Sequence, residues 1–254
     1  MFTLVGYYDA TAHAALAAIA AIADPHVRVS GNDIYVPALN KMLAVFAGGS
    51  GLEECRMQSP SLRRLVNQRI EFIYPQAMPP GDWMGLEVHL WKERARTLDI
   101  AEALNAFCLN SVAAAAEYVF IWLMDKLEAL PAGEIASLEG TVSLTAVVGA
   151  WVNGAITFTQ TLPAGRYAIC GMRIRGGSVV AARCVFPDIS PRPGCIGTPH
   201  YYEPGIPAFR YGGLGNWGEF EHDAPPSVDV IGAGAGALTH DVVMDLIQVR
   251  AGRK

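Results

Sequence analysis

The chain has 254 residues, 52% of them hydrophobic and only 17% charged, with a net charge of −5 and a mean hydropathy of +0.25. The charged share lies below the roughly 25% usual for soluble domains, and an acidic chain without a Lys/Arg block lacks the footprint of direct phosphate neutralisation on nucleic acid. Length allows one large domain or two of about 125 residues, and so much apolar sequence is expected to hide part of its surface against further copies of itself.

The first predicted element is a short helix. In the Ala-rich run 10–23, Leu16, Ile19 and Ile22 recur every three positions and Asp24-Pro25 supplies a stop. The run is too short to span a bilayer, and no Lys or Arg precedes Arg28, so neither a membrane segment nor a signal peptide is expected. Segments 27–29 and 34–36 flank the turn residues Gly31-Asn32-Asp33 as a hairpin would. Segment 68–74 alternates polar and apolar. Segment 112–127 fits two readings: its alanines favour helix, whereas Tyr118-Val119-Phe120-Ile121-Trp122 suits a strand buried on both faces.

The second half reads as strands. Segments 141–145 and 155–159 alternate at period two, as half-buried strands do. Pro163-Ala164-Gly165 turns the chain into 166–174, Gly176-Gly177 turns it again, and 178–186 follows as the return strand. Segment 242–249 reads as a terminal core strand. Between them, 187–226 is rich in proline and glycine and holds Tyr201, Tyr202, Phe209, Tyr211, Trp217 and Phe220. A long loop with this many aromatics is expected to be ordered by packing on the body or on an adjacent subunit.

The five cysteines, 55, 108, 170, 184 and 195, are odd in number and show no Cys-x-x-Cys spacing. Neither a zinc site nor a complete disulfide framework follows; buried reduced thiols in a reducing compartment do.

The second half also restates the first. Leu43-Ala44-Val45-Phe46, then Cys55-Arg56, then Ser59-Pro60-Ser61 and Arg63-Arg64 correspond to Tyr167-Ala168-Ile169-Cys170, Arg183-Cys184 and Ser190-Pro191-Arg192. Trp83, Leu98-Asp99-Ile100 and Leu123-Met124-Asp125 likewise correspond to Trp217, Val228-Asp229-Val230 and Val243-Met244-Asp245. Such an internal repeat points to two tandem sandwiches, with boundaries expected at 1–130 and 131–254.

Two successive β-sandwich halves with Pro/Gly turns, long loops and little charge resemble the double jelly-roll major capsid proteins of icosahedral viruses. The phrases Leu162-Pro163-Ala164-Gly165-Arg166-Tyr167-Ala168-Ile169-Cys170 and Ala181-Ala182-Arg183-Cys184-Val185-Phe186-Pro187 are similar in character to adjacent strands of such coats. The resemblance implies a mainly β chain of two tandem jelly-roll sandwiches, to which the residues add the short N-terminal helix and a few further short helices. It also implies a structural shell subunit and no enzyme, three copies of which make a pseudo-hexameric capsomer of a virion assembled in the host cytoplasm. The implied partners are copies of itself and possible vertex or penton and minor capsid proteins, with no cofactor. Candidate subunit contacts are Arg63, Arg64, Trp83, Arg192, Tyr201, Tyr202, Arg210 and Trp217, because arginine and aromatics dominate interface energetics.

Two other readings stay open. Glu219, Glu221, His222 and Asp223 cluster in sequence and, with His200, would supply a cupin-like metal or acid/base site. The region from Tyr201-Tyr202 to Trp217 would supply stacking aromatics for a carbohydrate-binding or adhesive sandwich. Ser59 lies outside any Gly-x-Ser-x-Gly elbow, and Gly232, Gly234 and Gly236 lack the following helix that a phosphate cradle needs.

Overall fold

The computed structural model describes residues 1–49, 51–64, 70–73, 89–112, 116–176, 179–197, 209–232 and 236–251. It is mainly β, with one five-residue helix, α1 (Pro60–Arg64), among the described residues. The chain divides into an N-terminal unit, Leu4–Asp125, and a C-terminal unit, Lys126–Lys254, which also includes Met1–Thr3.

The C-terminal unit shows the architecture most cleanly. Its strands are β13 (Ile135–Ala146), β14 (Val152–Gly154), β15 (Ile156–Phe158), β16 (Gly165–Arg175), β17 (Val179–Val185), β18 (Gly194–Ile196), β19 (Gly218–Glu221), β20 (Ser227–Gly232) and β21 (Gly236–Ala251). One sheet runs β15-β13-β21-β16-β19 and the other β14-β20-β17-β18. The order β13-β21-β16-β19 facing β14-β20-β17-β18 is that of a jelly roll, in which the chain keeps crossing between sheets. Period-two patterning explains why the sheets close on each other. In β13, Leu138, Val142 and Ala146 are buried while Ser137, Glu139, Ser143 and Thr145 are exposed. The Cys184 thiol of β17 donates to the Met172 sulfur of β16 at 3.7 Å, joining the two sheets through the core.

The N-terminal unit repeats this connectivity. Its strands are β1 (Phe2–Asp9, whose first two residues group with the C-terminal unit), β2 (His13–Ala18), β3 (Ala20–Ala21), β4 (Val29–Ser30), β5 (Asp33–Tyr35), β6 (Lys41–Gly49), β7 (Leu52–Gln58), β8 (Ile70–Ile73), β9 (His89–Leu90), β10 (Arg96–Thr97), β11 (Ala103–Asn110) and β12 (Glu117–Met124). One sheet runs β10-β6-β12-β1-β3, with β9 also on β6; the other runs β4-β5-β11-β7-β8, with β2 also on β11. Thus β1, β12, β6 and β9/β10 match β13, β21, β16 and β19, while β2, β11, β7 and β8 match β14, β20, β17 and β18. Side chains of both sheets meet in one core that includes Tyr7, Val45, Ile121, Cys55, Leu104 and Cys108.

Three expectations are corrected and one open reading is settled. Residues 10–23 form no helix: β2 pairs with β11 and β3 pairs with β1, and the chain crosses between the sheets at Ile19. Ile19 N–H donates to Ala106 O and its side chain joins the sandwich core, while Ile22 N–H donates to Gly6 O and its side chain is buried beside Gly6 and Phe120. Alanine's helix preference is a fraction of a kcal/mol per residue, and ladder bonds plus burial override it. Segment 112–127 resolves as a strand over Glu117–Met124, paired with β6 throughout its length. Strand β17 is no hairpin return of β16; it belongs to the opposite sheet. Both strands are buried at most positions on both faces, so neither period nor turn residues distinguish a hairpin from a crossing. Finally, 187–226 contains the ladder strands β18 and β19 and is not loop throughout.

Candidate functional site

Polar side chains on the outer faces of the two sheets of the C-terminal unit form two transverse rows, in which Arg183, Asp229 and Asp245 are buried. On the outer face of the β14-β20-β17-β18 sheet, Asn153 opposes Asp229, Asp229 opposes Arg183, and Arg183 opposes Gly194. Directly opposed residues project to the same face, so the ladder register assembles the group. Arg183 Nε donates to Asp229 Oδ2 at 2.9 Å, Asn153 Nδ2 donates to Oδ1 at 2.9 Å, and Arg192 Nη1 stands 3.7 Å from Oδ2. The Arg183 guanidinium lies 4.1 Å over the Trp151 ring and is fully buried. A Cβ on Gly194 would stand 2.7 Å from Arg183 Cβ and 2.4 Å from Ala182 O, so only glycine lets that strand pass beside the arginine.

The second row lies on the other sheet. Ser137 opposes Asp245, which opposes Gly171 across a bulge. Asp245 is fully buried; it accepts from Ser137 Oγ at 2.6 Å and from the Tyr211 backbone N–H at 3.0 Å, with Arg173 Nη2 3.9 Å away. Segment 209–217 is thereby fastened to the sheet's outer face, helped by Gly212 N–H to Cys170 O and Trp217 N–H to Ile169 O, both 2.8 Å. A Cβ on Gly171 would fall 2.6 Å from Asp245 Oδ2 and 2.8 Å from Phe209 O. Gly171→Ala is therefore expected to cost about 1–3 kcal/mol, seen as a lower melting temperature together with faster proteolysis within 209–217.

Two titratable groups stand apart from these networks. Glu117 is fully buried at the start of β12 with no hydrogen-bond partner for either carboxylate oxygen. Burial, then the neighbouring Asp9 carboxylate, push its pKa up to about 8. Asp9 itself lies 2.5 Å from His13 Nε2, and hydrogen bonds from His13, Ala10 and Thr11 outweigh its desolvation and hold its pKa below the ordinary value. His240 is fully buried against Gly176, and burial lowers its pKa although Asp241 opposes the effect.

Among the described residues no group of three or more His, Cys, Asp or Glu is placed to hold a metal ion. Of the acidic cluster expected near 219–223, Glu219 pairs with Arg166 at 2.6 Å and Glu221 with Arg250 at 3.7 Å, while His222 stands 3.9 Å from Asp223. His200 lies outside the described residues.

The predicted contact residues scatter. Trp217 is fully buried, edge-on to Phe2 with ring centroids 5.2 Å apart, and serves the core; the carbohydrate reading thereby loses one of its named platforms. Arg192 is likewise buried, its backbone N–H bonded to Thr3 Oγ1 at 3.1 Å. Arg63 is exposed on α1 and donates to Gln58 Oε1, and Arg64 closes that helix. Arg210 is half-buried; its guanidinium stacks 4.6 Å over the exposed Tyr211 ring and Nη2 donates to Tyr211 Oη at 2.6 Å. Trp83, Tyr201 and Tyr202 lie outside the described residues.

Sequence reasoning missed Asp229, Arg183, Asp245, Glu117 and His240 as interior groups. One signal was available for three of them: a single charge inside an apolar run, as in Val228-Asp229-Val230, Ala182-Arg183-Cys184 and Met244-Asp245-Leu246. Such a residue must find a partner on the neighbouring strand.

No protein-family model and no curated protein sequence matches the chain. Among solved structures, the major capsid protein P2 from bacteriophage PM2 aligns over 100% of this chain and 99% of its own, at 10% identity and a TM-score of 0.22. The likeness is weak and confined to the fold.

Proposed function

We propose that the chain is a structural shell subunit, a major capsid protein whose copies associate as homotrimers and tile the shell of an icosahedral virus. The observation that carries this reading is the repetition of one jelly-roll strand order in both units of a single chain. Three such chains present six similar sandwiches, so duplication has a geometric use in closing a pseudo-sixfold tile. Jelly rolls also leave sheet edges that neighbours must cover. Low charge supports the same reading, as do exposed apolar side chains such as Ile100, Tyr211 and Leu238, which subunit contacts would bury. The exposed Arg210–Tyr211 stack has the chemistry of an interface anchor.

In this reading the mechanism is association without a catalytic step or cofactor. Apolar and aromatic surfaces bury between protomers, with obligate interfaces of roughly 2,000 Å² or more. The protein would reside in the virion, assemble in the host cytoplasm, and meet vertex or minor capsid proteins at the shell's symmetry axes. Light scattering on size-exclusion fractions, with negative-stain images of the same fractions, tests it. Trimers or closed shells are expected; a monomer at every salt and protein concentration would overturn the proposal.

Within that proposal, Arg63→Glu combined with Arg64→Glu is expected to weaken assembly about thirtyfold for each lost anchor of about 2 kcal/mol. The urea midpoint should stay unchanged, since Arg63 is exposed. Unaltered particle yield would remove this helix from the contact surface.

A further inference from the structure

Cys55 on β7 and Cys108 on β11 are directly opposed in an antiparallel pair whose register runs unbroken from Asn105–Gln58 to Leu109–Glu54. Opposed residues in such a pair have Cα atoms about 4.5 or 5.5 Å apart, and both values lie inside the roughly 4.4–6.8 Å that a disulfide spans. Cross-strand partners project to the same face. Here that face is the core of the N-terminal unit, to which both cysteines belong. The other three cysteines have no such opposition. Cys195 faces Ala182, Cys184 turns to the Met172 sulfur, and Cys170 donates to Asp245 O.

We propose that Cys55 and Cys108 are a latent covalent staple, a modification site that closes to a disulfide when the protein meets an oxidant of the hydroperoxide class. The site selects its oxidant by size. Both thiols are fully buried, so an oxidant reaches them only through local opening of the fold, and a water-sized peroxide needs a smaller opening than a bulky thiol reagent does.

One cysteine sulfur attacks a peroxide oxygen, the O–O bond breaks, and a sulfenic acid forms with release of one water. The second sulfur then attacks the sulfenic sulfur, the S–O bond breaks, the S–S bond forms, and a second water leaves. Both thiol protons end in water; the two sulfurs are oxidised and the two peroxide oxygens reduced.

The neighbouring Cys55 thiol, together with burial, holds the Cys108 thiol well above its ordinary pKa. Little Cys108 thiolate is present, so its attack is slow and follows local opening of the β7–β11 region. The pair therefore stays reduced in a reducing compartment and closes after prolonged exposure outside one. The inference is independent of the shell reading, since it needs only the folded chain.

The test treats the full chain with hydrogen peroxide under native conditions, then denatures it and alkylates free thiols with N-ethylmaleimide. Before treatment all five cysteines of the sequence should take label. After treatment three should, with loss of two hydrogens from the intact mass, one bridged peptide joining positions 55 and 108, and full labelling restored by a reductant. In parallel, a Cys170→Ala/Cys184→Ala/Cys195→Ala variant should still close its remaining pair, whereas Cys55→Ala should form no bridge. If the variants do not fold, the peptide map of the unmodified sequence decides alone. Five labelled thiols after treatment, oxygen added to sulfur without a bridge, or a bridge to any other cysteine would overturn the proposal.

Discussion

Replacing Asp229 with alanine is expected to lower the unfolding free energy by about 3–5 kcal/mol, the usual cost of leaving a buried charge without its partner. The effect is large because three neighbours lean on one carboxylate: Arg183 Nε and Asn153 Nδ2, each at 2.9 Å, and Arg192 Nη1 at 3.7 Å. Arg183 is fully buried and cannot turn its guanidinium to water when the carboxylate is removed. Stacking on Trp151 holds the ring plane but supplies no counter-charge. Urea unfolding measures the loss as a lower midpoint at unchanged slope.

The companion variant separates pairing from packing. Asp229→Leu together with Arg183→Met removes both charges and keeps the volume apolar, and replacing such pairs by packed hydrophobes is often neutral or stabilising. Most of the loss seen with Asp229→Ala should therefore be recovered. A double variant as unstable as the single one would show that the row acts through shape and not through charge.

The second large effect is on pH dependence. Glu117 has a folded pKa of about 8, raised above its ordinary value of 4.5 by burial and by Asp9. A carboxyl of this kind keeps its proton in the folded chain while the unfolded chain has already released it. Its contribution is fully present below about pH 4.5, falls as pH rises, and is lost above about pH 8. Within that window the slope is about −1.4 kcal/mol per pH unit.

Glu117→Gln keeps the shape and removes the titration. Its advantage over the native chain should grow by about 1.4 kcal/mol for each pH unit through the window and then level off. The comparison between the two proteins matters because His240 acts in the opposite sense. Its folded pKa is lowered from 6.5, so its contribution is lost as pH falls below that value. Both proteins carry His240, and the difference profile cancels it. A flat difference from acid to alkaline pH would show that Glu117 reaches water in the folded state.

The repeat visible in the sequence has a definite structural meaning. Leu43–Phe46 and Tyr167–Cys170 lie on the matching strands β6 and β16, and Cys55-Arg56 and Arg183-Cys184 on β7 and β17. Leu123-Met124 and Val243-Met244 lie on the matching last strands, β12 and β21. One correspondence is displaced: Leu98-Asp99-Ile100 precedes β11, whereas Val228-Asp229-Val230 lies inside β20, the strand that matches β11. The landmarks that hold are inside ladder strands, where pairing constrains spacing. The one that fails is beside a connection, where insertions are tolerated.

Sequence alone determined the β class, the burial of all five thiols and most second-half strands, because those properties follow from local alternation and composition. Segments 141–145 and 155–159 needed no partner to be recognised; β13 and β15 then paired as Thr141 with Thr157 and Val142 with Ile156. Only the tertiary structure decided which sheet each strand joins, and with it the polar rows. Asp229 meets Arg183 because β20 lies beside β17, and Asp245 meets Ser137 because β21 lies beside β13. Those are pairings between residues 46 and 108 positions apart. No local propensity encodes such distances. Ala14, Ala15, Leu16, Ala17 and Ala18 satisfy a helix in isolation, and become strand β2 because β11 offers an open ladder edge, while Ile19 and Ile22 lie outside the strands and are buried.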